Sequence, residues 1–384
     1  MTRRLYHDDA YLRRFDATVV ASTTWKGKPA VVLDRTAFYP EAGGQLGDRG
    51  TLGGSVVLDT QETDDAIVHV LDGDAPAIGT TVAGELDWAR RRQHMAQHTA
   101  QHLLSGTLLD RAQAATASAR LGESALTIDV TRDRIRDAEL AAAEDLANDV
   151  IDDDLAVRTW FPDADELARL RLRRDPKVAA DIRVVAIGDF DFSPCGGTHC
   201  ARTSQLGSVR ITNTERYKGM TRVTFTAGRR ARSELFTRDQ LLRGLATQFS
   251  CGPGEVPAAI DKLRRDAEST AAELASMRSR IASLVIAQLG DAPRVVAEIP
   301  GDAELVRSIA AKLTSAGRDA LLAAPDDAGT HVVLFRAPGS MLDCGALWKQ
   351  LAARFGGRGG GKAERAEGRL PTPITNWSDV IGEL

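Results

Sequence analysis

The chain runs to 384 residues, 43% of them hydrophobic and 27% charged, with a net charge of −4 at pH 7. The composition is that of an ordinary soluble globular protein, the length predicts two to four domains rather than one core, and the longest apolar runs fall short of a membrane span. The mild acidity excludes a surface given over wholly to nucleic acid; four cysteines and an N-terminus (MTRRLYHDDAYLRRFD) without an apolar stretch exclude a disulfide framework and a secretory signal, so a reducing cytoplasm is the expected compartment.

In chain order, residues 1–88 carry short β-branched runs (ATVVAS, AVVLD, SVVLDT, AIVHVL, TTVAGELDW) punctuated by Gly, Asp and Pro. They predict a small antiparallel barrel, with a sandwich as the other arrangement. Inside this stretch, FYPEAGGQLGDRG (38–50) holds Gly43, Gly44, Gly47 and Gly50. Paired glycines let backbone approach a ligand closely, although turn chemistry alone also accounts for them.

Residues 89–235 mix strands and helices and predict an α+β domain. RRRQHMAQHTAQHLLSGTLLD reads as a helix from Arg90 to about Asp110, with His94, His98 and His102 on one face at i, i+4 and i+8. A strand at 126–130 and an acidic amphipathic helix from Asp137 to about Leu155 follow. The strands DIRVVAIG and GSVRITNTE then flank a CGGTH turn, and TRVTFTAG closes the region. Between Arg202 and Arg243 ten basic residues meet only Glu215, Glu234 and Asp239, whereas acids concentrate at 144–154. That asymmetry suits a face presented to a polyanion, the plain alternative being a solvated helix face.

A helical segment spans 236–290, broken at CGPGEVP (251–257). Beyond the break, Ile260, Leu263, Ala267, Thr270, Leu274, Met277, Ile281 and Leu284 recur with 3-4-3-4 spacing, a seam of about three and a half heptads. It predicts a helical hairpin or coiled coil that spaces domains or dimerises, against an amphipathic helix lying on the protein's own core. Residues 291–384 alternate strands (RVVAEIP, DALLAAP, HVVLFR) with helices and predict a small α/β domain. It ends in a glycine-rich loop, GGRGGGKAERAEGR (356–369), whose Arg358, Lys362, Arg365 and Arg369 suit phosphate contacts. The loop lacks the Gly-Lys-Ser/Thr of a nucleotide-hydrolysing P-loop.

The chemistry concentrates in two spacings. His98-x-x-x-His102 places two imidazoles one turn apart, and Cys195-x-x-x-His199 adds a thiolate and a third imidazole, a donor set suited to one zinc ion per chain. His94 is open at this point, as a ligand in place of His102, a neighbour of the ligands or a substrate contact, and Cys200 competes with Cys195. His7, His69 and His331 read as ordinary packed or surface residues, and Cys251 and Cys344 as small hydrophobes. Neither GxSxG nor HExxH occurs, which argues against a serine hydrolase and a zincin.

HTAQHLL, CGGTH and GSVRIT…YKGMTRVTFTAG together resemble the editing domain of alanyl-tRNA synthetases, and still more the free-standing AlaX-type alanyl-tRNA editing proteins. FYPEAGGQLGD resembles the glycine-rich segment of the longer AlaX forms, and the glycine-rich tail the RNA-binding domain that ends them. The resemblance implies a trans-acting hydrolase that cleaves the aminoacyl ester of Ser-tRNA(Ala), and of Gly-tRNA(Ala) as a second substrate, by metal-assisted attack of water. It implies zinc on His98, His102, Cys195 and His199; an amino-acid pocket at Gly43, Gly44, Gln45 and Thr99, with Gln45 or Thr99 meeting the serine hydroxyl; and tRNA held by Arg358, Lys362, Arg365 and Arg369. Gln45, Thr99 and His94 are the candidates for a part in catalysis. The helical segment offers a homodimer contact, and the chain is expected to start at the barrel with no aminoacylation domain before it. The competing reading is a non-catalytic tRNA-binding module with a structural zinc. A third, a hydrolase of small esters or amides, leaves the C-terminal domain unexplained.

Overall fold

A computed structural model describes residues 2–63, 66–176 and 178–383. The chain forms two compact units, Met1–Leu242 and Arg243–Leu384, and the architecture is α+β throughout.

The N-terminal part of the first unit contains six barrel strands: β1 (Arg14–Trp25), β2 (Lys28–Leu33), β3 (Gly50–Leu52), β4 (Ser55–Glu62), β5 (Ile67–Asp72) and β6 (Thr81–Leu86). They close into a barrel in the order β1-β2-β5-β4-β3-β6. The period-two pattern is plainest in β6, where Val82, Gly84 and Leu86 are buried between exposed neighbours. Lys26 and Gly27 both take positive φ at the β1–β2 hairpin, the condition for a tight two-residue turn. Val19, Val31, Leu33, Phe38, Leu52 and Leu71 fill the barrel. This arrangement, not a sandwich, leaves the strands no free edges.

Helix α1 (Trp88–Ala112) leaves the barrel from an N-cap at Asp87, whose side chain accepts the Arg90 N–H. Arg91, fully buried, fastens this end of the helix to the glycine-rich segment: its guanidinium pairs with Asp48 and donates to the Ala10 carbonyl at 2.8 Å. From His94 to Ser105 every residue of α1 is buried, so its polar side chains lie inside the protein and must find partners there. Around it pack a four-stranded antiparallel sheet, β7 (Thr116–Leu121), β8 (Leu126–Val130), β12 (Val209–Tyr217) and β13 (Met220–Ala227), in the order β12-β13-β8-β7. With it come α2 (Asp137–Asp152) and a three-stranded sheet of β9 (Val157–Trp160), β10 (Val184–Ile187) and β11 (Asp191–Pro194). The CGGTH turn begins where β11 ends. Helix α3 (Gly228–Gln248) starts in this unit.

The second unit has a five-stranded sheet, β14 (Arg294–Glu298), β15 (Asp319–Asp326), β16 (Gly329–Phe335), β17 (Arg358–Lys362) and β18 (Arg365–Leu370), ordered β14-β15-β16-β18-β17. Helix α5 (Ala303–Ser315) covers one face through Val306, Ile309 and Leu313; α6 (Cys344–Phe355) covers the other through Trp348 and Leu351. Here the structure corrects the sequence reading. The glycine-rich tail is not a loop but the edge hairpin β17–β18. Its glycines answer to packing: a Cβ on Gly368 would stand 2.1 Å from the Trp348 ring, and one on Gly361 2.3 Å from the Ala366 Cα.

Helix α4 (Val256–Gln288) carries two stripes. Ala282, Val285, Ile286 and Leu289 pack on the unit's own core. The heptad seam lies on another face and is exposed, with Leu263 at 57%, Met277 at 58% and Leu284 at 68%. No helix among the described residues is long and apolar enough to cross a membrane.

Candidate metal centre

His98 and His102 stand one turn apart on α1, and the turn after β11 brings Cys195 and His199 against them. One ligand atom from each of the four lies within 4.8 Å of the others. Cys195 Sγ is 3.4 Å from both His98 Nε2 and His199 Nε2. His102 Nε2 is buried with no hydrogen-bond partner among the described residues. A buried nitrogen left unpaired within reach of a thiol and two imidazoles is what a metal ligand looks like without its metal, and the set of three N and one S donors suits zinc.

The far side of each imidazole is held. His98 Nδ1 donates to Gln45 Oε1 at 2.7 Å, and the same oxygen accepts the Thr198 N–H at 3.2 Å, which fixes the amide's orientation. Gln45 Nε2 donates to Thr198 Oγ1 at 2.9 Å. Thr99 Oγ1 donates to the Met95 carbonyl and accepts from His199 Nδ1 at 3.2 Å and from the Cys200 N–H at 3.1 Å. His102 Nδ1 faces the Asp191 carboxylate at 3.8 Å. With Nδ1 protonated, the rings of His98 and His199 turn an Nε2 lone pair to the centre, the form a metal requires; His102 Nδ1 also lies 3.4 Å from Arg173 Nη2, a donor.

The electrostatics of Cys195 and His199 agree, whereas for His102 burial lowers the pKa but Cys195 and Asp191 outweigh it and raise the pKa above its ordinary value. Burial opposes ionisation of Cys195, but His98, His102 and His199 outweigh it and drive the thiol well below its ordinary range, towards the thiolate. Burial keeps His199 neutral, with a pKa of about 3. Asp191 is raised by burial and lowered more strongly by His102 and Arg173, so it stays below the usual carboxylate range. Arg173 Nε donates to it at 2.6 Å.

Gly197 is demanded by the geometry. A Cβ there would lie 2.2 Å from His98 Cε1, so only glycine lets the turn rest on the imidazole. Buried Arg183 clamps the same turn, donating to the carbonyls of Cys195 at 3.2 Å and Gly197 at 2.7 Å.

Beside the four residues opens a cavity of about 610 Å³, walled by His98, Cys195, Gly43, Gly44, Tyr39 and Gln101 among others. Gly44, at φ +90°, brings the 38–50 segment against β7, where a Cβ would meet the Ala119 carbonyl at 2.7 Å. Thus Gly43 and Gly44 border the cavity, whereas Gln45 and Thr99 turn their side chains to the imidazoles. His94 faces a second cavity with Arg90, Gln97 and Arg229, outside the four-residue cluster; burial lowers its pKa to about 4. Cys200 is buried away from the cluster, its thiol pushed up to about 12 by desolvation. Arg358, Lys362, Arg365 and Arg369 lie in the second unit, where Arg369 pairs with Asp326.

Sequence reasoning missed Arg183, Arg173 and Asp191, which carry no motif; Asp191 alone had a signal, an acid four residues before Cys195. It also set aside His7, whose Nε2 lies 3.2 Å from the Gly196 carbonyl at the edge of the cavity. His69 is the packed core residue expected of it.

Residues 182–224 match the family model described as the threonyl and alanyl tRNA synthetase second additional domain, and residues 11–90 match that of class II (A) tRNA synthetases. The chain is 34% identical to an alanine–tRNA ligase of Ignicoccus hospitalis over 95% of its length and 41% of the ligase. It is 33% identical to that of Thermococcus kodakarensis (97% and 42%), and 31% identical to that of Halobacterium salinarum (100% and 44%). The chain therefore spans less than half the length of the curated relatives it matches. It is related to alanyl-tRNA synthetases along nearly its whole length. The matches fit an AlaX-like protein.

Proposed function

We propose that this protein hydrolyses the aminoacyl ester of mischarged tRNA(Ala), with Ser-tRNA(Ala) as first substrate and Gly-tRNA(Ala) as second. The observation that carries the reading is the cluster of His98, His102, Cys195 and His199 open to the cavity bordered by Gly43 and Gly44, in a chain related to alanyl-tRNA synthetases. A zinc ion bound there would supply a Lewis acid to the ester and its amino group. The protein's own groups do the rest. The two glycines give the aminoacyl group a wall of backbone without side chains, and Gln101 and His7 offer polar contacts from the rim. Gln45 and Thr99 act in this reading as positioning residues for His98 and His199. The ester is already activated, so positioning and modest electrostatic help suffice. A site that hydrogen-bonds the serine hydroxyl discriminates against alanine, which lacks it.

In the same reading the 1–88 barrel and the 89–235 domain form the editing part in the cytoplasm. The 291–384 domain holds tRNA through Arg358, Lys362 and Arg365, and the 236–290 helices join two copies through the exposed seam. The test is deacylation of Ser-, Gly- and Ala-tRNA(Ala) by the intact chain and by its His98→Ala and Cys195→Ala variants. Ser-tRNA(Ala) is expected to be cleaved, Ala-tRNA(Ala) spared and both variants inactive; wild-type rates in variants that have lost zinc would overturn the assignment. One observation favours a second reading, a tRNA-binding module with a structural metal: four protein ligands make a closed shell, the usual mark of a structural site. That reading expects tRNA binding without hydrolysis.

A further inference from the structure

On the first unit, α1 and the start of α3 enclose a groove that the metal chemistry does not use. A cavity of about 800 Å³ lies between Trp88–Ala96, the 204–208 turn and the first two turns of α3. Arg92, Arg229 and Arg232 line it, all three exposed, and no acidic side chain does. None of the three makes an ion pair or a hydrogen bond among the described residues. Their neighbours differ: Arg90 is held by Glu123 and Arg230 by Glu234. Three guanidiniums left unpaired around one concavity, in a chain whose net charge is −4, raise the local positive potential where an anion would bind. They spread over two helices, a span that suits successive phosphates rather than one small anion. Trp88 adds an aromatic face, already stacked by the Arg13 guanidinium at 4.3 Å. Close approach of the two helices depends on Gly228, whose Cβ would meet the Ala96 Cβ at 3.1 Å.

The groove's position gives it a direction. It shares Ala89, Gln93 and Arg229 with the second cavity, of about 480 Å³, where His94 lies. His94 is one turn from His98 on the same helix, and Arg92 precedes His98 by six residues, about 9 Å of helix rise, with the two side chains leaving the helix about 120° apart.

We propose that Arg92, Arg229 and Arg232 form an RNA-backbone site that grips phosphates of the tRNA body, on a face of α1 other than the one that meets the acylated 3′ end. The site is additional to any contact made by the 291–384 domain. The choice of RNA as the polyanion rests on the tRNA-directed function proposed above; the groove's charge does not.

The test uses the full chain and measures tRNA affinity against salt concentration for three proteins: wild type, the Arg92→Gln/Arg229→Gln/Arg232→Gln variant, and the matching triple Lys variant. Each phosphate contact contributes about 0.9 to the slope of log K against log salt on duplex and about 0.7 on single strands. The Gln variant is expected to lose about 2 to 3 from the slope and at least about tenfold in affinity at low salt. The Lys variant should keep most of both, and zinc content should stay unchanged in all three. An unaltered slope in the Gln variant overturns the site, and so does an equal loss in the Lys variant, which would mark packing rather than charge. Binding is read without hydrolysis, so a wild-type protein that binds tRNA through these arginines but cleaves no ester would sink the deacylase reading and leave this site standing.

Discussion

Gln45 Oε1 sits 2.7 Å from His98 Nδ1 and ties an imidazole on α1 to a glycine-rich segment 53 residues earlier. The same amide holds Thr198 through both of its ends. One buried side chain thus joins the barrel, the helix and the CGGTH turn at the metal centre. Gln45→Ala removes the acceptor that fixes the ring and its tautomer. Metal affinity is expected to fall about 10- to 100-fold, as is usual for partners of ligating histidines, with the thermal transition little changed in zinc-loaded protein. Gln45→Glu keeps the acceptor and should bind zinc nearly as wild type. Competition with a chromogenic chelator reads both; equal affinity in the Ala variant would refute the role.

The two glycines of CGGTH are not equivalent. A Cβ at Gly197 collides with His98 at 2.2 Å, whereas one at Gly196 meets nothing within 4 Å. Gly197→Ala is therefore expected to push His98 out of line and to leave purified protein with well under one zinc per chain. Gly196→Ala should retain full zinc. Elemental analysis of the two variants decides the matter, and full occupancy in both would show that the turn can move away from the ring.

The four metal-cluster residues were legible because helical spacing and a compact Cys-x-x-x-His turn leave a mark in the sequence. Their supports were not. Gln45 and Asp191 reach His98 and His102 across long sequence separations, and no local pattern records such an approach; Arg183 holds the Cys195 carbonyl from 12 residues away but stands in no motif. The extent of α1's burial was also hidden: His94 to Ser105 is enclosed on all sides yet rich in His, Gln, Thr and Ser, so hydrophobic periodicity understates it. The tail shows the opposite error. Gly359, Gly361 and Gly368 look like a loop by composition, but they are small because Trp348 and the partner strand occupy the space a side chain would need. Glycine records close approach without saying what approaches.

His69 is enclosed in the barrel, donating from Nδ1 to the Val31 carbonyl at 3.2 Å and accepting from Thr36 Oγ1 at Nε2, 2.8 Å away. Burial lowers its pKa to about 4. An unfolded chain protonates the same ring near its ordinary value of about 6.5. As pH falls from about 6.5 towards 4 the unfolded state takes up a proton that the folded state refuses, so stability declines through that window and levels off below it. Between pH 7 and 5 the loss from this one residue is about 2 kcal/mol. His69→Gln should flatten the pH dependence by that amount, whatever it does to stability at pH 7. Urea unfolding of both proteins at the two pH values measures it, and parallel curves would show that the ring is not held neutral.

Leu263, Met277 and Leu284 on the seam of α4 are more than half exposed, while Ala282, Val285 and Ile286 hold the helix to its own domain through a different stripe. Charges introduced on the seam should leave the fold intact and act only on association. Leu263→Glu/Met277→Glu is expected to keep the wild-type circular dichroism and melting temperature. It should also convert a concentration-dependent dimer into a monomer in sedimentation velocity. An apolar seam at a and d positions is matched to a second helix of the same kind, and its burial would supply most of the dimer's free energy, so two charges along it are enough to abolish it. Wild type that sediments as a monomer at all concentrations would remove the seam from any role in self-association.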